Sequence, residues 1–263
     1  MTKQVTATPS ASLMLIRDGS GGLEILMVVR SDRASFAPGA LVFTGGKVEA
    51  GDRSAKLLKR CDGSTLLCQQ ELAFRVAAIR EAFEEGGVIL ARETSKNHLL
   101  DGGASARLQK YRRCLSGGSL SLSDFLCAEE LVLACDRLTA FAHWITPSSR
   151  PIRFDTHFFV AESPSGQQPT HDGVESMNAL WLTPTSALEN AREGRWNLML
   201  PTRLNLERLS HAANVSEALE IARNTRIVTV TPWIEKRSGV SLMRIPDDAG
   251  YGYIAEPIKD VSG

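Results

Sequence analysis

Residues Gln69 to Val88 read QQELAFRVAAIREAFEEGGV. At about 100° per residue, Leu72, Val76, Ile79 and Phe83 fall on one narrow stripe of a helix, while Glu81, Glu84 and Glu85 cluster on the opposite side. Gly86-Gly87 is a helix stop, which leaves Glu84 and Glu85 in the last turn, where the helix dipole favours cations over carboxylates. Glu81 and Glu85 are also a like-charged i,i+4 pair, which costs about 0.2–0.5 kcal/mol if nothing neutralises it. A bound divalent cation reverses both penalties. The pattern therefore predicts one face that packs and one that chelates; the plainer alternative is a solvated acidic face.

The stretch just upstream favours the metal reading. Leu41 to Asp52 read LVFTGGKVEAGD, an apolar strand that runs into a glycine pair and then an acidic loop. Two glycines at that junction permit positive φ and close approach of the backbone to a ligand. Gly46, five residues, Asp52, and then Arg80-Glu81-Ala82-Phe83-Glu84-Glu85-Gly86-Gly87-Val88 resemble the Nudix box, the loop-helix-loop signature of hydrolases that cut diphosphates linked to another moiety. The REAFEEGGV half matches the family pattern at every specified position. Asp52 stands where the family usually has Glu, and the gap from Asp52 to Arg80 is longer than usual.

Composition narrows the partners. The chain has 263 residues, 43% hydrophobic and 23% charged, enough to bury a substantial core. Thirty basic residues balance thirty acidic ones, so no broad basic field draws it to nucleic acid or to an anionic membrane surface. An anionic substrate must be held by local arginines and metal. The cysteines at 61, 68, 114, 127 and 135 are odd in number and lack a CxxC spacing, which predicts reduced thiols. The apolar run near the amino terminus is too short for a signal-peptide core, and no run approaches the eighteen or so apolar residues that span a bilayer. The expectation is a soluble cytoplasmic protein.

Ala11–Arg17 and Leu23–Arg30 read as two strands of a hairpin, and LEILMVV, apolar on both faces, as a central strand. Leu41–Phe43, AHWITP, RFDTHFFVAES and MNALWLTP supply further strands. TPTSALENAREG reads as a helix capped by Thr183 or Thr185 and stopped by Gly194, with helices again at 201–210 and 216–223 and short strands at 226–231 and 240–245. A single domain over 1–263 is expected, with an insertion at 53–79, a helical elaboration at 93–140, and helices and a tail over 184–263.

Beyond the box, AAIREAFEEGGVIL, AHWITP and RFDTHFF resemble the coenzyme A diphosphatase branch of the Nudix hydrolases, whose members carry an insertion inside the box. Arg30-Ser31, Gly39, Phe43 and Gly45-Gly46 fit the signature that precedes the box in coenzyme A-cleaving members, with Ser35 and Thr44 departing from it. The resemblance implies an α/β Nudix fold, a mixed sheet sandwiched between helices with an added helical region. It implies Mg²⁺ or Mn²⁺ held by Glu81, Glu84, Glu85 and the carbonyl of Gly46, with Arg80 orienting a carboxylate. Glu85, Glu81, Glu175 and Arg80 are the expected catalytic set. Glu175 lies six residues before Trp181, the interval at which several family members place a general base; His171, Asp172 and His157 are its alternatives. Arg30, Arg33, Arg153, Gly45 and Phe43, with Phe36, are the expected substrate contacts. The substrate expected is a small nucleotide, coenzyme A or an acyl derivative, or else ADP-ribose, NADH or another dinucleotide. A non-catalytic nucleotide sensor is the reading of another class, and a homodimer is compatible with all of them.

Overall fold

The computed structural model describes residues 5–32, 37–63, 67–174, 176–237 and 239–257. Its centre is β1 (Thr8–Gly19), whose alternating apolar residues serve two cores: Leu13 and Leu15 point to one face, Met14 and Ile16 to the other. β2 (Gly22–Arg30) returns antiparallel to it, Gly19 facing Gly22, so the connection is tighter than the long loop the sequence suggests. The next strand changes partner midway: β3 (Leu41–Val42) pairs with β2 and β4 (Thr44–Lys47) pairs with β1, the switch falling at Phe43.

β5 (Ala91–Glu93) and β6 (Leu131–Leu133) form a separate two-stranded ladder, β5 at the leading edge of the stretch read as helical and β6 within it; three-residue strands are too short to carry a period-2 signal. β7 (Thr139–Ile145), β8 (Phe154–Glu162), β9 (Ser176–Leu182) and β10 (Thr229–Val230) complete the main sheet. Among the described residues that sheet has eight strands in the order β10-β7-β8-β1-β2-β3, with β4 also on β1 and β9 on β2. β8 runs parallel to β1 and β7 antiparallel to β8, so the sheet is mixed, and β2 is interior as its two-sided apolarity predicts. β11 (Trp233–Arg237), β12 (Val240–Arg244) and β13 (Ala255–Pro257) make a small sheet of which only β12 was expected.

On one face of the main sheet lie α1 (Ala55–Leu58) and α2 (Gln69–Gly86), overlaid by the short helices α3 (Gly102–Ala106), α4 (Arg112–Ser116) and α5 (Leu122–Ala128). On the other face lie α6 (Pro184–Arg192), α7 (Leu200–Leu209) and α8 (Val215–Asn224), α6 capped by Thr183, whose hydroxyl accepts the amide N–H of Ser186 at 3.1 Å. The fold is thus a three-layer sandwich, helix, mixed sheet, helix, as expected.

α2 is more enclosed than its amphipathic pattern implies. Leu72, Val76, Ile79 and Phe83 are buried as expected, but Arg75, Arg80 and Glu85 are buried too: Arg75 reaches the carbonyl of Cys135, Arg80 the loop after β4, and Glu85 the amide of Gly45 on β4. Phe83 stacks on Phe125 of α5 with ring centroids 5.8 Å apart. Burying four such apolar side chains contributes on the order of 6–12 kcal/mol, which outweighs several-fold the charge crowding along the helix. Gly87, in the left-handed region at φ 73°, ends the helix and donates its N–H to the carbonyl of Phe83 at 3.0 Å.

Candidate active site

Arg80, rooted in the middle of α2, gathers the acidic residues around itself. Its Nε and Nη2 donate to the two oxygens of Asp52 at 3.0 and 3.1 Å, and Nη2 donates also to the carbonyl of Lys47 at 2.9 Å. Nη1 donates to Glu81 at 2.9 Å and to Glu84 at 3.3 Å. Asp52, in a single 3-10 turn at Gly51–Arg53, is 1% exposed and accepts the amide N–H of Glu49 at 2.8 Å as well. Burial opposes the charge on Arg80, but the bonds to Asp52 and the pull of Glu81, Asp52 and Glu84 hold its pKa above the ordinary arginine value.

The glycine pair lies against the same helix. The N–H of Gly45 donates to Glu85 Oε2 at 2.9 Å, fixing a carboxylate that is 4% exposed. A Cβ on Gly46 would stand 2.2 Å from Glu81 Oε1, so the absence of a side chain there is what lets Glu81 lie against β4. Glu84 is pushed up to about 7, chiefly by burial and further by Glu81 and Glu49, against the lowering effect of Arg80.

Glu81, Glu84 and Glu85 therefore crowd one strip of α2 beside Gly46, with the one guanidinium among them already engaged on both oxygens of Asp52. The donor atoms are all oxygen, and burial, with the neighbouring Glu81 and Glu49 charges, holds the Glu84 carboxyl above the ordinary carboxylate range. A hard divalent ion such as Mg²⁺ or Mn²⁺ fits such a set.

A second element closes on the helix end. The segment 163–174 passes α2 with the N–H of Thr170 donating to the carbonyl of Gly86 at 2.9 Å. Arg112 of α4 holds both: it donates to the carbonyl of Glu84 at 2.9 and 3.3 Å, to the carbonyl of Thr170 at 2.7 Å and to its hydroxyl at 2.7 Å. Gln167 is buried in the same segment, accepting the N–H of Ile89 at 2.9 Å and donating to the carbonyls of Ile89 and Leu100 at 3.1 and 2.8 Å. Nothing in the sequence marked Arg112, an arginine in a polar helical stretch, as different from its exposed neighbour Arg113.

The remaining expected residues fall variously. Arg33, Phe36 and Glu175 lie outside the described residues. Asp172 accepts the amide N–H groups of Val174 and Ser176 at 3.1 and 2.8 Å, building the turn into β9, and His171 is exposed beside it. Arg30, at the end of β2, is partly exposed and bonds through its backbone N–H to Ala40 at 3.0 Å.

Phe43 and Arg153 are not brought to the carboxylates. Phe43 is 4% exposed in the core on the far face of the sheet, edge-on to Phe158, because the partner switch at this residue turns its ring away from α2. The guanidinium of Arg153 donates to the carbonyls of Thr146 and Val5, bracing the start of β8. His157 stands on the α2 face of β8 against Phe74, with its pKa lowered to about 4 by burial and by His143.

The sequence model of the NUDT19 Nudix domain family matches residues 59–209. The chain is 25% identical over 257 residues to "Acyl-coenzyme A diphosphatase NUDT19" of Xenopus laevis, covering 83% of this chain and 68% of that protein. It is 27% identical over 258 residues to the Homo sapiens protein of the same name, covering 81% and 67%. Among solved structures, a Nudix hydrolase from Alicyclobacillus acidocaldarius superposes with a TM-score of 0.66 at 27% identity, covering 83% of this chain and 97% of that one.

Proposed function

The chain is a hydrolase of the Nudix family, in the branch described by the NUDT19 Nudix domain, and on that premise we propose that it cleaves the diphosphate of coenzyme A or of an acyl derivative. The observation that carries the catalytic reading is the fixing of Glu85 by the N–H of Gly45 while Glu81 lies against Gly46, which sets two carboxylates at one end of a buried helix. The substrate class is carried over from the relatives named acyl-coenzyme A diphosphatase.

Glu81, Glu84, Glu85 and the carbonyl of Gly46 would hold Mg²⁺ or Mn²⁺, which when bound supplies positive charge to the diphosphate oxygens. Arg80 keeps Glu81 and Glu84 aimed by charge-assisted hydrogen bonds and is itself locked by Asp52. Gly45 holds Glu85 through its amide, so the carboxylate needs no reorganisation as charge develops. Water adds to one phosphorus and gives its proton to a carboxylate, for which Glu175 is the sequence candidate. The bridging oxygen leaves with the other phosphoryl group, giving 3′,5′-ADP and a 4′-phosphopantetheine species. Arg30 and Arg33 are the proposed phosphate contacts.

The test is a panel of coenzyme A, an acyl-coenzyme A, ADP-ribose and NADH, incubated with the full chain and Mg²⁺ or Mn²⁺, with products identified by mass. Release of 3′,5′-ADP from the coenzyme A substrates supports the proposal, and cleavage of ADP-ribose or NADH alone replaces its substrate. Glu85→Gln keeps an acceptor for the Gly45 N–H, so it should fold normally and lose at least about a hundredfold in kcat. Full activity in that variant would remove Glu85 from the mechanism.

A further inference from the structure

A second group of ligand-type side chains stands apart from the glutamates. His143 and His157 are register partners on the antiparallel strands β7 and β8, and Asp155, two residues before His157, projects from the same face. One ligand atom from each of the three can be chosen so that all lie within 4.8 Å of one another. His143 Nε2 is 2.5 Å from Asp155 Oδ1, and its Nδ1 is 2.8 Å from the hydroxyl of Thr229 on β10. The ring of His157 is held by stacking alone, between Phe74 and His143 with centroids 4.0 and 4.1 Å away; among the described residues nothing hydrogen-bonds it.

An ordinary histidine-carboxylate hydrogen bond accounts for His143 and Asp155. It gives neither nitrogen of the half-buried His157 a partner, and it does not explain why a second imidazole is set directly against the first.

We propose that His143, Asp155 and His157 form a metal site separate from the carboxylate strip, selective for Zn²⁺ over Mg²⁺. Two imidazole nitrogens and one carboxylate oxygen are the donor set of a borderline ion, whereas Mg²⁺ prefers oxygen alone. Three protein ligands leave a fourth tetrahedral position to water. The ion replaces the proton held between His143 and Asp155. Nδ1 of His143 then carries the ring proton and donates it to Thr229, the outer contact that fixes tautomer and ring orientation in metal-bound histidines. His157 reaches the ion by turning about χ2, a soft torsion in histidine. Phe74, which marks the position of this group on α2, precedes Glu81 by seven residues, about 10 Å of helix axis, so one ion cannot serve both places.

The experiment is titration of the full chain with Zn²⁺, and with Co²⁺ as a spectroscopic probe, in excess Mg²⁺. The native protein and Glu85→Gln should each bind one Zn²⁺, raise their Tm, and give the visible absorption of tetrahedral Co²⁺. His157→Gln and Asp155→Asn should each weaken that binding at least about tenfold and abolish the Tm rise, with circular dichroism confirming that the variants fold. Thr229→Val should weaken it by about ten- to a hundredfold, the range for loss of an outer partner. No Zn²⁺ binding to the native protein, equal binding in the His157→Gln and Asp155→Asn variants, or binding lost in Glu85→Gln would each overturn the proposal.

Discussion

Asp52 and Arg80, 28 residues apart in the chain, meet in a buried two-point ion pair, Oδ1 to Nε at 3.0 Å and Oδ2 to Nη2 at 3.1 Å. The pair bolts the loop after β4 to the middle of α2. Removing one member of a buried pair strands the other without compensation, a cost of about 3–5 kcal/mol, and the contacts of Arg80 to Glu81 and Glu84 place this one at the lower end. Asp52→Ala should lower the unfolding free energy by about 3 kcal/mol in urea titration. The double variant Asp52→Ala/Arg80→Leu should lose less than the sum of the two single variants.

The neighbouring glycines should fail in different ways. A methyl at Gly45 would meet the backbone carbonyl of Ala11 at 2.5 Å and Cα of Ser12 at 2.8 Å, neither of which can yield without moving β1. The atoms nearest a methyl at Gly46 are the far end of the Glu81 side chain, which can swing away. Gly45→Ala should therefore cost several degrees of Tm. Gly46→Ala should keep most of its Tm and lose Mg²⁺ affinity and turnover. Thermal melts beside metal titrations separate the two, and equal Tm losses would contradict this account.

Glu84, at about 7, makes the metal-free protein sensitive to pH. A carboxyl raised on folding from its ordinary 4.5 stabilises the fold below that value, and the contribution is lost as pH rises through 7. At about 1.4 kcal/mol per pK unit, roughly 3 kcal/mol should disappear between about pH 5 and pH 8. Saturating Mg²⁺ should remove the decline, Glu84→Gln should flatten it, and ion binding below pH 7 should release a proton, measurable by calorimetry in buffers of different ionisation enthalpy.

Arg112 joins the carbonyl of Glu84 to Thr170. Arg112→Met keeps the aliphatic stem and deletes these bonds, so amide exchange should speed up at 168–172 and at Gly86-Gly87 while β1 stays protected. Uniform acceleration across the chain would mean that the residue supports the whole fold instead of this junction.

The fold was legible where periodicity is long. β1, β2, β7 and β8 carry several apolar residues each, and the stripe from Leu72 to Phe83 with its glycine stop sets α2 to within two residues at its end. The β5–β6 ladder and the flanking strands of the last sheet were not, since three to five residues give too few alternations to read. At the site, spacing brought out Glu81, Glu84, Glu85, Gly45, Gly46 and Asp52, because helix period and box interval bear on them directly. Arg153 fits by residue type and Phe43 by a linear signature, and neither says which side of a strand a residue takes. Arg112 left no trace, because its partners are backbone carbonyls, which every residue possesses.

Because Arg80 clasps Asp52 and the carbonyl of Lys47, the stretch from Arg53 to Cys68 departs from one fastened point and returns to another. Its length is then free to drift: doubling such an excursion adds only about 0.6 kcal/mol of closure entropy. A motif scanned as an unbroken string would pass over chains built this way, whereas one defined by its two clasped ends would retrieve them whatever lies between.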